Sequence, residues 1–578
     1  MTSGVTLFPD VDHDVVIAGG GLAGLCLAKQ LKDAIPGLSV LVCERTTRPL
    51  PKAAFKVGES TVEIGAYYLS HVVGLHDHLE GDHLEKLGLR YFYGGKDKVA
   101  DEAEFGVRRF LPAKSYQLDR GALEQHLRAV AAEEGATVLE GVRVLDIGLG
   151  GEDGHVVSYQ AEDGGEAREV RCRWVVDATG RRRIIQRRLD LTKRFPRAHN
   201  AVWFRLDGRL DIDTSVAPDE TVWHERVNDP RWNSTNHFMF EGGWVWVIPL
   251  APNQTSVGIV TAAHLHEITT MNRLEKAMDF VSARVPELDA AMRAMPVLDF
   301  HVLKDYSHSS AQVFSERRWA CVGEAGVFAD PYYSVGSNLI AYANGFVTKM
   351  ISDDLAGEFG AEFVRHANRW FLSLSEGLTN NIQVSYPFHH NPVLMALKTV
   401  WDYYVGWSFS DPQYYEQTFL SIPASSVISG LGGRAVATQA VIMQLLLDWS
   451  GRYRGTYSFD YIDYYRDVPT LARLFEQNLP ESAPRPFTSV LGSIRTGLDR
   501  IEELALVIFF LAVEDVLPEH LEELRSRGWL NVSALSLDPQ RWESDGLYEP
   551  KTQPRTQELQ LLEKEMRGLF RVSAKLEV

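Results

Sequence analysis

The order of apolar and polar positions at the start of the chain predicts a strand, a helix and a second strand. Residues 14–18 form a short β-branched run, LAGLCLAKQLKDAI has the spacing of a packed helix, and LSVLVCE is again strand-like. Strand-like alternation recurs over residues 137–177 and 197–260. The pattern therefore predicts an α/β fold in which a βαβ unit is interleaved with a second sheet.

From about residue 360 the pattern becomes helical. Long amphipathic stretches such as NPVLMALKTVWDYYV and GRAVATQAVIMQLLLDW follow one another as far as LQLLEKEMRGLF. We therefore expect a catalytic lobe over residues 1–375 and a mostly helical C-terminal domain over residues 376–578. Earlier in the chain, residues 116–132 predict an amphipathic helix and residues 86–92 a strand.

Composition narrows the functional classes. A chain of 578 residues with 45% hydrophobic content is longer than a single hydrophobic core usually supports. Its net charge of −18 would repel phosphate groups, so nucleic acid is not an expected partner. The four widely spaced cysteines form no CxxC pair, and the N-terminus has no secretory pattern, so we expect a cytoplasmic protein without a metal site. The charge-free run at residues 504–513 is half the length of a membrane span and predicts a buried helix instead.

A glycine cluster lies where the first predicted strand enters its helix. In GGGLAG, Gly19 permits a tight turn, Gly21 lets the backbone approach a pyrophosphate, and Gly24 allows close helix packing. Glu44 ends the second strand, where a carboxylate can bind a ribose hydroxyl. A dinucleotide site is the prediction, and a purely structural turn is the alternative.

Two later fragments favour FAD over a nicotinamide. WVVDATGR (residues 174–181) and CVGEAGVFADP (residues 321–331) are strands that end in small residues, which would let the backbone lie against a long ligand. Each fragment alone is equally consistent with ordinary sheet termination.

Four further motifs resemble those of the flavin-dependent halogenases, and the resemblance covers roughly residues 12–350. The first is Gly58-Glu59-Ser60-Thr61, which resembles the family's segment beside the flavin, and the second is Lys86, at the place of the family's catalytic lysine. The third is the Trp-x-Trp-x-Ile-Pro signature, which begins at Trp244, and the fourth is the loop from Asp330 to Gly336. The second tryptophan of the signature is Trp246.

The resemblance implies a Rossmann-like FAD-binding fold of the flavin monooxygenase type and a halogenation reaction. Reduced FAD from a separate flavin reductase, oxygen and chloride or bromide would give hypohalous acid, which Lys86 would orient towards a phenol- or pyrrole-type ring in natural-product biosynthesis. The amides of Val335 and Gly336 would hold the halide, and Trp244, Trp246 and Tyr333 would form the substrate pocket. The expected cofactor contacts are Gly19, Gly21, Ala23, Gly24, Glu44, Arg45, Glu59, Ser60, Thr61, Arg120, Asp177, Gly180, Glu324 and Asp330.

Several positions leave alternatives open. Tyr333 stands where tryptophan halogenases have a substrate-orienting glutamate, so free tryptophan is a poor substrate candidate and a carrier-bound ring stays an option. Arg120 is equally explained as a solvated helix charge, Arg90 competes with Lys86 as the catalytic cation, and Asp330 is a candidate for covalent flavin attachment. The competing functions are an NAD(P)H-dependent aromatic hydroxylase and a flavoprotein whose helical lobe binds a carrier or another partner.

Overall fold

The computed structural model describes residues 6–8, 10–51, 57–95, 98–150, 154–481, 483–527, 530–549 and 558–572. The strands are β1 His13–Ala18, β2 Val40–Glu44, β3 Leu84–Glu85, β4 Leu89–Tyr93, β5 Ala103–Phe105, β6 Tyr116–Gln117, β7 Thr137–Glu140, β8 Val142–Gly148, β9 His155–Ala161, β10 Arg168–Asp177, β11 Thr192–Arg194, β12 His199–Leu206, β13 Thr235–Phe240, β14 Gly243–Leu250, β15 Gln254–Ala262, β16 Val297–Leu303, β17 His308–Ser310, β18 Trp319–Cys321, β19 Tyr457–Ser458, β20 Tyr461–Ile462 and β21 Arg571–Val572. The helices are α1 Leu22–Ala34, α2 Glu63–Tyr67, α3 His76–Asp82, α4 Arg120–Glu133, α5 Ile184–Arg188, α6 Ile212–Ser215, α7 Thr221–His224, α8 Leu274–Ser282, α9 Asp289–Ala294, α10 Gly336–Ala356, α11 Ala361–Ser385, α12 Pro392–Val405, α13 Asp411–Tyr415, α14 Ile422–Ser450, α15 Tyr464–Asp467, α16 Pro469–Asn478, α17 Phe487–Val516, α18 Leu521–Ser526 and α19 Leu559–Gly568.

The first sheet contains the predicted βαβ unit. Strands β7, β2, β1 and β10 are parallel neighbours in that order, and α1 connects β1 to β2. The ten-residue strand β10 pairs with antiparallel β9 along its first half and with parallel β18 along its second half. The carboxyl ends of β1, β10 and β18 therefore meet at one edge, where α/β folds bind ligands.

The second sheet is assembled from distant parts of the chain. Its order is β16-β12-β15-β14-β13-β4-β5-β20, and its central strand β14 is buried along all eight residues. Strands of the two sheets alternate along the sequence, so the predicted interleaving is confirmed. The last strand, β20, comes from the helical part of the chain and pairs in parallel with β5.

The C-terminal part is helical, as predicted, but it shares a core with the second sheet. One cluster of buried side chains includes Tyr91 and Trp246 of the sheet, Trp401 of α12 and Leu504 of α17. The expected boundary at residue 375 falls inside the 25-residue helix α11. No linker therefore separates the two parts at that position.

Two local predictions were wrong in their bounds. Residues 86–92 do not form one strand, because Gly88 has φ +62° and β4 begins only at Leu89. The helix expected from residue 116 begins at Arg120, because the Asp119 carboxylate caps it and accepts from the amides of Gly121 at 2.8 Å and Ala122 at 3.0 Å.

The length and apolar composition of the helices indicate which of them could cross a membrane. The run at residues 504–513 lies buried within α17, as predicted. Within the described ranges, α14 alone has the length and apolar composition of a membrane-crossing helix, and core helices of soluble proteins meet the same criteria.

Candidate active site

A cavity of about 1090 Å³ lies between the two sheets, at the carboxyl ends of β1, β10 and β18. Its volume slightly exceeds the range of about 300–1,000 Å³ for small-molecule sites, which suits a dinucleotide together with a second ligand. Of the expected site residues, the wall includes Gly19, Gly21, Ala23, Glu44, Arg45, Glu59, Ser60, Arg120, Gly180, Trp244, Trp246, Glu324, Asp330 and Gly336. Gly24, Thr61, Lys86, Asp177, Tyr333 and Val335 lie outside this wall.

The glycine turn after β1 fits a pyrophosphate. Gly19 has φ +113°, and a Cβ there would lie 2.3 Å from the Ala178 carbonyl oxygen. A Cβ on Gly24 would lie 2.1 Å from the Gly19 oxygen, which explains its packing role away from the cavity wall. Gly21 caps α1 without a side-chain acceptor, and no acidic residue occupies the first turn. The first amides of α1 are therefore available to an anion.

Glu44 and its neighbours form the adjoining wall. Its carboxylate accepts from the Gly20 amide at 2.8 Å and from the amide and hydroxyl of Thr46 at 2.8 and 2.6 Å. These contacts fix the carboxylate at the end of β2, beside Arg45. The position is the one from which a carboxylate binds a ribose hydroxyl.

Buried ion pairs hold the Gly-Glu-Ser segment. Glu59 pairs with Arg205 of β12 at 2.5 Å, and Arg205 also pairs with Asp299 at 2.5 Å. Burial raises the pKa of Glu59, and the Arg205 guanidinium opposes that shift. The Ser60 and Thr235 hydroxyls are hydrogen-bonded at 2.9 Å. Glu59 thus anchors this wall to the second sheet.

Arg120 is not a solvated helix charge. It is 9% exposed, and its Nη1 donates to the carbonyls of Val57 at 2.9 Å and Gly58 at 3.2 Å. Its Nη2 donates to Glu124 at 2.7 Å. The guanidinium therefore orders the backbone just before Glu59 and also faces the cavity.

At the end of β10, Asp177 has a positioning role. Its carboxylate accepts from the Thr179 amide at 3.0 Å, the Thr179 hydroxyl at 2.6 Å and the Ile185 amide at 2.8 Å. The turn that it holds contributes Gly180 to the wall, where a Cβ would lie 3.9 Å from Glu324 Oε2. Asp177 itself reaches the site only through this turn.

The loop from Asp330 to Gly336, called the halide loop below because the resemblance assigns the halide to it, has a backbone geometry suited to an anion. Ser334 is left-handed with φ +58° and Val335 is right-handed with φ −72°, the alternation that makes neighbouring amides converge. Within the described part of the chain, no carbonyl or side chain accepts from the Val335 or Gly336 amide. These two amides open the 21-residue helix α10, whose dipole also favours an anion.

Asp330 lies at the start of this loop and is fully buried. Its Oδ2 accepts from the Tyr386 hydroxyl at 2.8 Å, and its Oδ1 accepts from the Tyr332 amide at 3.1 Å. Burial raises the pKa of Asp330 to about 6 despite these hydrogen bonds. The carboxyl group faces the cavity but is already held by the protein.

The two tryptophans of the signature project from one face of β14 into the cavity wall. Their ring centroids are 5.6 Å apart, and each is at most 3% exposed. Trp246 donates to Ser256 Oγ at 3.1 Å and covers Gly258 of β15, where a Cβ would lie 2.1 Å from the ring. The pair therefore fills space between the sheet and the halide loop, where Trp244 lies 5.5 Å from the ring of Tyr332.

Lys86 is buried behind this wall. It is 3% exposed, and its Nζ donates to the Thr61 carbonyl at 2.7 Å. Burial lowers the pKa of Lys86 to about 7. Arg90 does not compete with it, because Arg90 forms a buried ion pair with Glu104. The turn at Gly88 separates the two cations.

His237 of β13 is a wall residue that the sequence reasoning missed. Its ring stacks on Tyr91 at 4.7 Å and lies 5.2 Å from Trp244. Burial, with a smaller contribution from the nearby Lys86 charge, lowers the pKa of His237 to about 3. A neutral imidazole thus lies in the cavity wall, near the Lys86 charge. Its only sequence signal was its place directly opposite Trp246 in the hairpin of β13 and β14.

Tyr333 is directed away from the cavity. Its hydroxyl donates to Asp402 of α12 at 2.7 Å, and the buried Lys398 lies 5.2 Å from its ring centre. Asp402 also forms an ion pair with Lys398. The expectation that Tyr333 lies in one pocket with the two tryptophans is therefore wrong for this cavity.

Comparison with known proteins gives one consistent family. A family model described as tryptophan halogenase matches residues 107–370, which include the Trp-x-Trp motif and the halide loop. The chain is 26% identical over 369 residues to a flavin-dependent halogenase, chlA, of Dictyostelium discoideum, covering 60% of each protein. It is 25% identical over 436 residues to the tetracycline 7-halogenase of Kitasatospora aureofaciens, covering 69% of this chain and 74% of that protein.

Two further relatives bear on substrates and on the fold. A 1H-pyrrole-2-carbonyl-[peptidyl-carrier protein] chlorinase of Pseudomonas fluorescens is 26% identical over 350 residues, which are 57% of this chain and 73% of that protein. The crystal structure of halogenase PltM with phloroglucinol and FAD superposes with a TM-score of 0.59 at 17% identity, covering 85% of this chain and 96% of that one. The fold, the motifs and these matches agree, and the chain is similar to the flavin-dependent halogenases.

Proposed function

We propose that the chain is an FAD-dependent halogenase that attaches chlorine or bromine to an electron-rich aromatic ring of phenol or pyrrole type. The observation that carries the proposal is the buried Lys86 ammonium group behind the wall that joins the halide loop to the tryptophan pair. A hydroxylase needs no such cation remote from the cofactor cavity. The two free amides of the halide loop give the same proposal independent support.

The residues that line the cavity are suited to binding FAD. The first amides of α1 would hold the pyrophosphate, Glu44 and Arg45 would lie at the ribose, and Arg120, Ser60 and the halide loop would lie nearer the flavin ring. When bound and reduced, FAD supplies the electrons by which oxygen and a halide ion give hypohalous acid.

The chain's own residues would then control that small reagent. The amides of Val335 and Gly336 would hold the halide, and Trp244 and Trp246 would keep an organic ring and bulk water out of the flavin cavity. The Lys86 ammonium group would donate a hydrogen bond to the hypohalous acid and direct it at one ring carbon. Asp330 is held by Tyr386, and we assign it an orienting role in the loop.

We further propose that a separate flavin reductase supplies the electrons and that the enzyme acts in the cytoplasm. Asp177-Ala178-Thr179-Gly180 replaces the segment with which self-sufficient hydroxylases contact both cofactors. All four cysteines are buried and free, which suits a reducing compartment. A carrier-bound ring is the alternative substrate, because the names of two relatives specify carrier-bound pyrroles.

The test combines the purified protein with FAD, a flavin reductase, NADH and bromide or chloride. Phenols, pyrroles and indoles are offered free and as carrier thioesters, and products are read by mass spectrometry. We expect products with a halogen isotope pattern. Their rate of formation should fall about 10²- to 10⁴-fold in Lys86→Ala, the usual loss when a positioned proton donor is removed. Lys114→Ala, which removes an exposed lysine paired with Glu80, is the matched control.

Flavin oxidation should persist in Lys86→Ala, since Lys86 lies outside the cofactor cavity. Products that gain one oxygen and no halogen, with NADPH and without a reductase, would instead establish the aromatic hydroxylase.

A further inference from the structure

Three arginines in the wall of the cavity have no role in the account given so far. They are Arg181, Arg182 and Arg187, called the arginine cluster below, and all three are exposed to solvent. Because each of them contacts both the cavity and the solvent, the cluster lies at the opening of the cavity. Any ligand that enters on this side passes these three guanidinium groups.

Asp177 fixes the chain that carries the arginine cluster. Its buried carboxylate accepts from the Thr179 amide at 3.0 Å, ahead of the first arginine, and from the Ile185 amide at 2.8 Å, in helix α5. Arg187 Nη2 in turn donates to the Arg181 carbonyl at 3.3 Å. The backbone of the cluster is therefore held in one arrangement, as a binding site requires.

The arginine cluster lies at the end of the cavity that contains Glu44. Arg182 Nη1 donates to the carbonyl of Val144 in β8 at 2.8 Å. Strand β8 begins two residues after Glu140, and Glu140 lies opposite Glu44 in the parallel pairing of β7 with β2. The cluster is therefore beside the wall at which the ribose and the pyrophosphate of FAD would bind.

No acidic group neutralises the arginine cluster. Among the described residues, none of its three guanidinium groups forms an ion pair with a carboxylate, whereas the neighbouring Arg188 pairs with Asp146 at 2.7 Å. Burial, together with the charges of Arg187 and Arg194, lowers the pKa of Arg183, which lies inside the same run. Like charges are thus held close together although the whole chain carries a net charge of −18. An anionic ligand would relieve this repulsion.

We propose that the arginine cluster captures reduced FAD from solution by attracting its pyrophosphate to the opening of the cavity. The inference rests on the proposed function, in which a separate reductase releases reduced FAD and the halogenase must bind it before dissolved oxygen oxidises it. A cleft lined by one sign of charge raises the association rate of an oppositely charged ligand about 10- to 1,000-fold. The cluster acts on the rate of binding, whereas the amides of α1 and Glu44 hold the bound cofactor.

The test follows the binding of oxidised FAD, which carries the same pyrophosphate, by stopped-flow fluorescence without a reductant. We expect Arg181→Gln/Arg187→Gln to lower the association rate constant about 10-fold at low ionic strength and to change the dissociation rate constant less than about 2-fold. Salt should slow association to the unmodified protein steeply. At about 1 M salt, where charges are screened within about 3 Å, the two proteins should bind FAD at the same rate. A variant with a distorted site would instead bind slowly at every salt concentration.

Arg188→Gln/Arg194→Gln is the matched control. These two arginines are exposed, form ion pairs with Asp146 and Asp305, and lie outside the cavity wall. The control removes the same positive charge and should bind FAD at the rate of the unmodified protein. Equal association rates for the cluster variant and the control would overturn the inference, as would a deficit of the cluster variant that persists at about 1 M salt.

The outcomes for the inference and for the proposed function are separable, because FAD binding is measured without turnover. An association rate that depends on the cluster, in a protein that forms no halogenated product, would count against the proposed function alone. Halogenated product from a protein whose association rate is independent of the cluster would count against the inference alone.

Discussion

Lys86 is placed where burial disfavours its charge. The side chain is 3% exposed, its pKa is lowered by burial to about 7, and Glu63 only partly opposes the shift. The Thr61 carbonyl satisfies one of its donors, which leaves others for a ligand. An ammonium group of lowered pKa can donate a proton or a hydrogen bond near neutral pH, which an ordinary lysine does less readily.

The first prediction concerns this ionisation. In protein labelled with ¹³C-lysine, the Lys86 signal should titrate near pH 7, while Lys114, whose pKa is raised by hydrogen bonding to Glu80, should stay charged well above that pH. Because the charged form is the donor, halogenation should be retained below pH 7 and fall as the pH rises through it. Glu63→Gln should shift both midpoints downwards, since it removes the carboxylate that favours the charged lysine. A Lys86 midpoint near its ordinary value of 10.5 would contradict the assigned environment.

At the scale of elements, the pairing of β14 with β15 positions the tryptophan signature. Trp246 lies opposite Gly258 in the antiparallel register, and the indole occupies the volume that a side chain at residue 258 would need. The signature in the sequence therefore depends on a glycine twelve residues later. The sequence motif alone gave no reason to single out that glycine.

The second prediction changes that glycine. Gly258→Ala places a methyl group 2.1 Å from the Trp246 ring, and we expect a loss of about 1–3 kcal/mol in the free energy of unfolding, as overpacked cores show. Denaturant unfolding measures the loss, and near-ultraviolet circular dichroism follows the displaced indole. Gly148→Ala in β8 is the control, because its Cβ would come no closer than 3.4 Å to its neighbours. Equal stability of the two variants would show that β15 yields without cost.

At the scale of the molecule, the helical part completes the second sheet. Strand β20 extends the sheet beyond β5, and the Glu104 amide donates to the Asp460 carbonyl at 2.9 Å. The largest cluster of buried side chains runs from β4 to α19 without interruption at residue 375. The two parts expected from the sequence thus share one core.

The third prediction follows from this shared core. A fragment of residues 1–375 would expose the apolar face of the second sheet, so we expect it to aggregate or to bind a hydrophobic dye. The whole chain should unfold in a single calorimetric transition. Size-exclusion chromatography, circular dichroism and calorimetry make the comparison. A monomeric fragment that binds FAD and unfolds cooperatively would restore the boundary at residue 375.

The sequence by itself determined the features that depend on neighbouring residues. The βαβ unit, the helices after residue 360, the turn at Gly19 and the shared face of Trp244 and Trp246 all follow from short-range periodicity and steric limits. The bounds of β4 were missed because the pattern did not reveal that Gly88 is left-handed.

Only the tertiary structure decided what surrounds the chemical groups. The Lys86 ammonium group donates to the carbonyl of Thr61, 25 residues earlier in the chain, and Arg90 is neutralised by Glu104. A side chain's pKa and its free hydrogen-bonding capacity depend on all groups packed around it. Local pattern records the neighbours in sequence, whereas desolvation and pairing are set by neighbours in space.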